Sequence, residues 1–265
     1  MKIDASSIGE PPFKLCKLLC FKPIHARKAE VTRAFEMDES HSLFGLKYRE
    51  VSMANRVIAI GDIHGCSVAF RQLIDLIQPG NDDTIVTLGD YINRGPDGRG
   101  VIDQLIALRD RCSLIPLLGN HEQMLLSNRD ARTEIPGQPL TDPGNGLERF
   151  RDEHFSFLET CEMFFEIDTH FFVHANYAPK KQLAEQDPYT MLWLSLDTQM
   201  PKRHFTRKTA VVGHTSQKSG EILDRGHLKC IDTYCYGGGW LTAMEVRTAQ
   251  QWQVDQNGIQ RSIAN

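Results

Sequence analysis

Apolar and polar positions along this chain fall into two alternating regimes from residue 56 onward. Val57, Ile58, Ala59 and Ile60 form a short unbroken apolar run, which predicts a strand buried on both faces. Asp83-Thr-Ile-Val-Thr-Leu-Gly-Asp90 and Ser113-Leu-Ile-Pro-Leu-Leu-Gly-Asn120 repeat the pattern, and each ends in a glycine followed by a polar residue. Between the runs, Phe70, Leu73, Ile74 and Ile77 recur at helical spacing and stop at Pro79-Gly80, as do Val101, Ile102, Leu105, Ile106 and Leu108 further on. Glu122 to Asn128 predicts a short helix after the third run. This βαβαβ order predicts a parallel sheet with right-handed crossovers.

The rhythm breaks over residues 129–146, where Pro136, Pro139 and Pro143 stand among Gly137, Gly144 and Gly146. A loop of that length inside a compact domain is usually functional or disordered, and its position suggests a cover for a substrate mouth. Phe150 to Leu158 and Ala184 to Leu194 read as helices. Met163–Ile167, Phe171–His174, Thr209–His214, Leu228–Asp232, Leu241–Val246 and Gln251–Val254 read as strands. Several of these late strands are joined by turns, which predicts an antiparallel second sheet. The expected fold is α/β, a two-sheet sandwich flanked by helices.

Residues 1–54 differ from this core and read as an N-terminal extension, with a single domain over 55–265. The Leu15-Cys-Lys-Leu-Leu-Cys-Phe21 run is too short and too interrupted by lysine for a signal peptide, and no apolar run is long enough to span a bilayer. The net charge of −4 argues against a nucleic-acid partner held by broad phosphate neutralisation. Seven cysteines without a framework predict reduced thiols and a cytoplasmic setting.

The candidate chemistry lies at strand ends. Asp62 and His64 close the first run, Asp90 the second and Asn120 the third, while His174 and His214 close two later ones. A lone strand-end Asp or His is ordinarily a cap or turn residue; six in this order form a ligand set. Mixed carboxylate, amide and imidazole donors suit manganese, iron or zinc.

Gly61-Asp-Ile-His-Gly65, Gly89-Asp-Tyr-Ile-Asn-Arg-Gly95, Gly119-Asn-His-Glu122, His174-Ala175 and Gly213-His-Thr215 resemble the motifs of the phosphoprotein phosphatase branch of the calcineurin-like metallophosphoesterases. Ile231-Asp-Thr and Tyr236-Gly-Gly resemble that family's C-terminal segment. The resemblance implies two divalent metal ions, manganese first with iron or zinc as alternatives. Asp62 and His64 would hold one, Asp90 would bridge, and Asn120, His174 and His214 would complete the other. It implies in-line attack by a metal-bridging hydroxide, with Arg94 (and Asn120 beside it) on the phosphate. His121 would protonate the leaving oxygen, and Asn93 would accept a hydrogen bond from its ring. The implied substrates are phosphoserine and phosphothreonine in proteins, or another phosphorylated small molecule. The alternative is a symmetrical dinucleoside polyphosphate, as for the diadenosine tetraphosphate hydrolases. Two departures bear on that choice. Asn93 stands where the protein phosphatases carry Asp, and Ser195 stands where the bacterial ones carry a second arginine, a place Arg203 or Arg207 would have to fill. Gly213-His-Thr215, by contrast, is similar to the protein phosphatases, since the dinucleotide hydrolases usually have Gly-His-Trp.

Overall fold

The computed structural model describes residues 55–131 and 150–262. The extension expected over 1–54 and most of the Pro/Gly-rich loop lie outside the described residues. In chain order the first half runs β1 (Val57–Ile60), α1 (Ser67–Ile77), β2 (Thr84–Thr87), α2 (Gly98–Leu108), β3 (Ser113–Pro116) and α3 (Asn120–Ala131). The second runs α4 (Asp152–Leu158), β4 (Phe164–Glu166), β5 (His170–Val173), α5 (Pro188–Trp193), β6 (Thr209–Val212), β7 (Leu223–Asp224), β8 (Leu228–Cys230), β9 (Leu241–Glu245) and β10 (Gln251–Val254).

The first sheet has the order β10-β9-β1-β2-β3 and the second β4-β5-β6-β8-β7. β1, β2 and β3 pair in parallel, as the alternation predicts, with Ile58 opposite Ile85 and Ile85 opposite Leu114. Pro116 has no N–H to give, and β3 accommodates it as the sheet edge. β1 shows why its sequence is apolar without alternation. Val57 and Ala59 face the second sheet among Phe172, Val211 and Ile231, while Ile58 and Ile60 face α1 and α2 among Phe70, Leu73 and Ile102. A third apolar layer, with Phe171, Val173, Ala210 and Val212, covers the outer face of the second sheet. The expected two-sheet sandwich is therefore present, with helices outside.

One expectation is corrected. The second sheet is mixed, not antiparallel: β5, β6 and β8 run parallel, and only β4 and β7 are antiparallel at its margins. The turn-joined pair β9–β10 is an antiparallel hairpin, but it extends the first sheet beside β1. The helix expected over Ala184 to Leu194 is divided at Gln186, with a 3-10 turn before it and α5 after. Asp187 caps α5 through the Thr190 N–H and Pro188 takes the first turn, where its missing N–H costs nothing. Among the described residues no helix is long and apolar enough to cross a membrane.

Candidate metal centre

Parallel pairing brings the C-terminal ends of β1, β2, β3, β5 and β6 to one end of the two sheets, where α/β folds place ligands. The turns there are strained. His64, Asp90, Asn93, Arg94 and His214 account for five of the nine non-glycine residues with positive φ among the described residues. Such conformations persist only when their surroundings over-determine them. Glu122 does so: its carboxylate accepts from the backbone N–H of Asp90 (2.8 Å), Tyr91 (2.8 Å), Ile92 (3.2 Å) and Gly119 (3.1 Å). Gly89 lets the strand ends close, since a Cβ at its φ of +97° would stand 2.6 Å from the Gly119 nitrogen. At Gly213 a Cβ would come 2.0 Å from Asp62 Oδ1. That space lets the His214 N–H reach both Asp62 oxygens, at 3.2 and 3.0 Å.

The ligand atoms form two groups that share Asp90. Asp90, His174 and His214 offer atoms within 4.8 Å of one another, and so do His64, Asp90 and His121. Asn120 joins the first group through Oδ1, which is 3.0 Å from His174 Nε2 and 3.1 Å from His214 Nδ1. Asp62 belongs to neither group of three. Its carboxylate faces the His214 N–H, and His121 is the third member of the group around His64 and Asp90.

The donor chemistry fits cations. His64 Nδ1–H donates to the Ile92 carbonyl (3.1 Å) and His174 Nδ1–H to the Leu88 carbonyl (2.8 Å). Each ring therefore turns a bare Nε2 inward, toward Asp90 Oδ2 at 3.4 Å and Asp90 Oδ1 at 3.6 Å respectively. The His214 ring bonds the Trp193 carbonyl, which takes its proton. Two imidazole lone pairs, an amide oxygen and a carboxylate oxygen then converge with no hydrogen between them. Such acceptor-only convergence is repulsive until a positive charge sits inside it.

Electrostatics agree. Burial, then Asp232 and Asp90, push the Asp62 carboxyl well above the usual range, and burial takes Asp90 up to about 7. Burial likewise lowers His174 to about 4 and His214 to about 3, the latter helped by His174. The site keeps its imidazoles neutral and its carboxylates under strain, the state from which a divalent cation relieves most.

Residues 55–246 match the Calcineurin-like phosphoesterase family. This chain belongs to the calcineurin-like phosphoesterases. Its family works with two divalent metals; Asp90, Asn120, His174 and His214 converge as acceptors fit for one, and Asp90 with His64 offers acceptors toward a second. Symmetrical bis(5'-nucleosyl)-tetraphosphatases of Burkholderia pseudomallei and Burkholderia mallei are 39% identical to this phosphoesterase over 84 residues. The match spans 31% of this chain and 29% of theirs, under a third of the relatives' length. A solved structure assigned as a candidate diadenosine tetraphosphatase shares the fold with a TM-score of 0.59, 22% identity, and coverage of 75% of this chain and 92% of that one. The cold-active protein-tyrosine phosphatase of a psychrophilic Shewanella species gives 0.56 and 18%, over 81% of this chain and 83% of its own.

Around the phosphoesterase centre stand residues with other duties. Asn93 meets His121 as expected, but with reversed polarity: Nδ2 lies 2.8 Å from His121 Nδ1, so the amide donates and the ring accepts. A carboxamide can present either end, and this one leaves the ring proton on Nε2, which faces Asp90 Oδ2 at 3.9 Å. Arg94 places Nη1 3.3 Å from His64 Nε2 and 2.7 Å from the Tyr236 hydroxyl. Its charge bears on Asp62, Asp90, His64, His121, His174 and His214 alike. Among the described residues neither candidate for a second arginine is bonded to this cluster. Arg203 bonds the Arg207 carbonyl at 3.5 Å, and Ser195 itself caps the Asp197 N–H. Cys66 is buried beside the centre against Cys235, within the apolar core. Sequence reasoning missed Glu122, although it sits inside a quoted motif. It also missed Asp232, a buried acid beside Asp62, and Tyr236, whose partner Arg94 lies far away in the chain.

Proposed function

We propose that this phosphoesterase hydrolyses the phosphoanhydride of a dinucleoside polyphosphate, a symmetrical bis(nucleosyl) tetraphosphate in particular. The observation that carries the reading is the neutral amide of Asn93 on His121. An anion at that place would favour the imidazolium and arm it to protonate an alkoxide; an amide that donates to Nδ1 does the opposite. A nucleoside diphosphate departs as a stable anion and needs that proton least. The 39% identity to symmetrical tetraphosphatases over 84 residues supports the same choice.

Asp62 and His64 would hold one cation, Asn120, His174 and His214 the other, and Asp90 would offer one oxygen to each. When bound, the two cations would supply Lewis acidity and lower the pKa of a coordinated water. Manganese suits this donor set, as do iron and zinc. Arg94 would fork onto the phosphate oxygens, beside Asn120, and compensate their charge as it builds. His121, with its proton on Nε2, would donate to the departing oxygen while Asn93 fixes the ring plane. The domain carrying this work is taken as 55–265, with 1–54 an extension. The five free cysteines among the described residues suit a reducing cytoplasm.

A second reading, hydrolysis of phosphoserine or phosphothreonine in proteins, is favoured by Thr215. This buried hydroxyl accepts from the Leu196 N–H at 2.9 Å, at the position where the dinucleotide hydrolases usually carry tryptophan. Product analysis separates the readings. Manganese-loaded protein should convert diadenosine tetraphosphate to two molecules of ADP. No cleavage of the dinucleotide, with ready release of phosphate from a phosphoserine peptide, would reverse the assignment.

A further inference from the structure

Among the described residues Arg94 is the arginine whose charge bears on the whole cluster, so its aim matters to every member of it. It springs from strained backbone, with φ of 66° at Asn93 and 69° at Arg94. Its shortest side-chain contact is to the Tyr236 hydroxyl, 2.7 Å from Nη1, and its guanidinium lies 4.8 Å from the centre of the Tyr236 ring. That ring is itself fixed. It meets the His64 ring edge-to-face, with centroids 4.8 Å apart, and the Tyr234 ring at 4.9 Å.

Behind the phenol runs a directed chain of hydrogen bonds. Ser216 Oγ donates to Asp232 Oδ2 at 2.7 Å, and Asp232 also accepts the Tyr234 N–H at 3.0 Å. Tyr236 is hydrogen-bonded to Ser216 as well. The serine proton is committed to the carboxylate, so the phenol donates to Ser216 and turns a lone pair toward Arg94. Every donor in the series Arg94, Tyr236, Ser216 points the same way, toward the buried Asp232 carboxyl. Chains of this polarity strengthen one another. Without the phenol, the contact left to Nη1 among the described residues is the 3.3 Å one to His64 Nε2, a lone pair the centre needs for a cation.

We infer that Tyr236 is the positioning residue of Arg94, taking the shorter of its two Nη1 contacts and keeping the guanidinium aimed at the phosphate through the Ser216–Asp232 chain. The inference rests on the reading of Arg94 as the phosphate clamp. Tyr236→Phe tests it, because the ring and its packing on His64 remain and the hydroxyl alone is lost. Full-length, manganese-loaded protein is titrated with inorganic phosphate by calorimetry, and KM and kcat are measured on p-nitrophenyl phosphate. Both are repeated in the Arg94→Ala background. Phosphate binding should weaken about tenfold in Tyr236→Phe, the loss of one hydrogen bond to a charged group, with Tm unchanged. In Arg94→Ala the second substitution should add nothing. Ser216→Ala, which leaves the phenol in place, should show a smaller loss that also vanishes without Arg94. Equal losses with and without Arg94, or none, would overturn the role of Tyr236 and leave the clamp standing. Arg94→Ala that binds phosphate like wild type would overturn the clamp, and the inference with it.

Discussion

Asp90 turns one carboxylate oxygen toward His64 and the other toward His174, at 3.4 and 3.6 Å, so both halves of the centre depend on it. Asp90→Asn should release at least one metal per chain and cut turnover by orders of magnitude while the fold persists, since the site lies at strand ends outside the core. Metal analysis beside thermal melting checks this; two retained metals with near-normal turnover would count against the shared ligand. Glu122 is different, because four backbone N–H groups end on its carboxylate. Glu122→Gln keeps the shape but puts an NH2 against donors. It should cost about 2–4 kcal/mol in unfolding free energy, leaving buried N–H groups without acceptors. A loss confined to activity, with the denaturant midpoint unmoved, would show that the strained Asp90 turn stands without it. Asn93→Asp would restore an anion beside His121. It should raise turnover on an alkyl phosphate more than on diadenosine tetraphosphate, because only the alkoxide needs the proton. Equal effects on the two substrates would detach Asn93 from leaving-group chemistry.

The elements are held in register partly by polar clamps at the opposite end of the first sheet. Arg56, just before β1, reaches Asp83, just before β2, through Nε at 3.0 Å and Nη2 at 2.5 Å, and the Gly80 N–H adds a third bond at 2.8 Å. The hydrogen bond from Arg56 holds the Asp83 carboxyl below its ordinary 3.8 against the opposing effect of burial. A depressed carboxylate contributes stability that is present above its unfolded value and disappears as pH falls through the folded one. Asp83→Asn should therefore cost about 1 kcal/mol at neutral pH, the scale of a partly exposed pair, and progressively less below the ordinary carboxyl value. Urea midpoints across that range measure it; a difference independent of pH would assign the loss to packing.

At this scale the sequence was legible where the burial pattern is local. The run Val57 to Ile60 announces a strand covered on both faces, and Phe70 to Ile77 a one-sided helix, because periodicity records which faces are buried. Pairing partners leave no such record. β5, β6 and β8 carry the same apolar character as β9 and β10, yet three join one sheet in parallel and two join the other as a hairpin. Residue types that serve metals stood out at strand ends for the same local reason. Tyr236, Glu122 and Asp232 did not, since their roles come from contacts formed only when distant segments meet.

For the whole molecule, the three apolar layers fix two sheets face to face and leave their shared C-terminal edge to the polar cluster. The rigid scaffold is what allows five strained residues, four imidazoles and several buried acids to gather there. On the proposed reading, the neutral Asn93–His121 pair suits a phosphate whose leaving group needs little help from a proton. The most direct test is the ratio of kcat/KM for diadenosine tetraphosphate to that for a phosphoserine peptide, measured on the same manganese-loaded preparation. The account predicts a ratio above one by at least about tenfold, or 1.4 kcal/mol of transition-state preference. A ratio below one would contradict it.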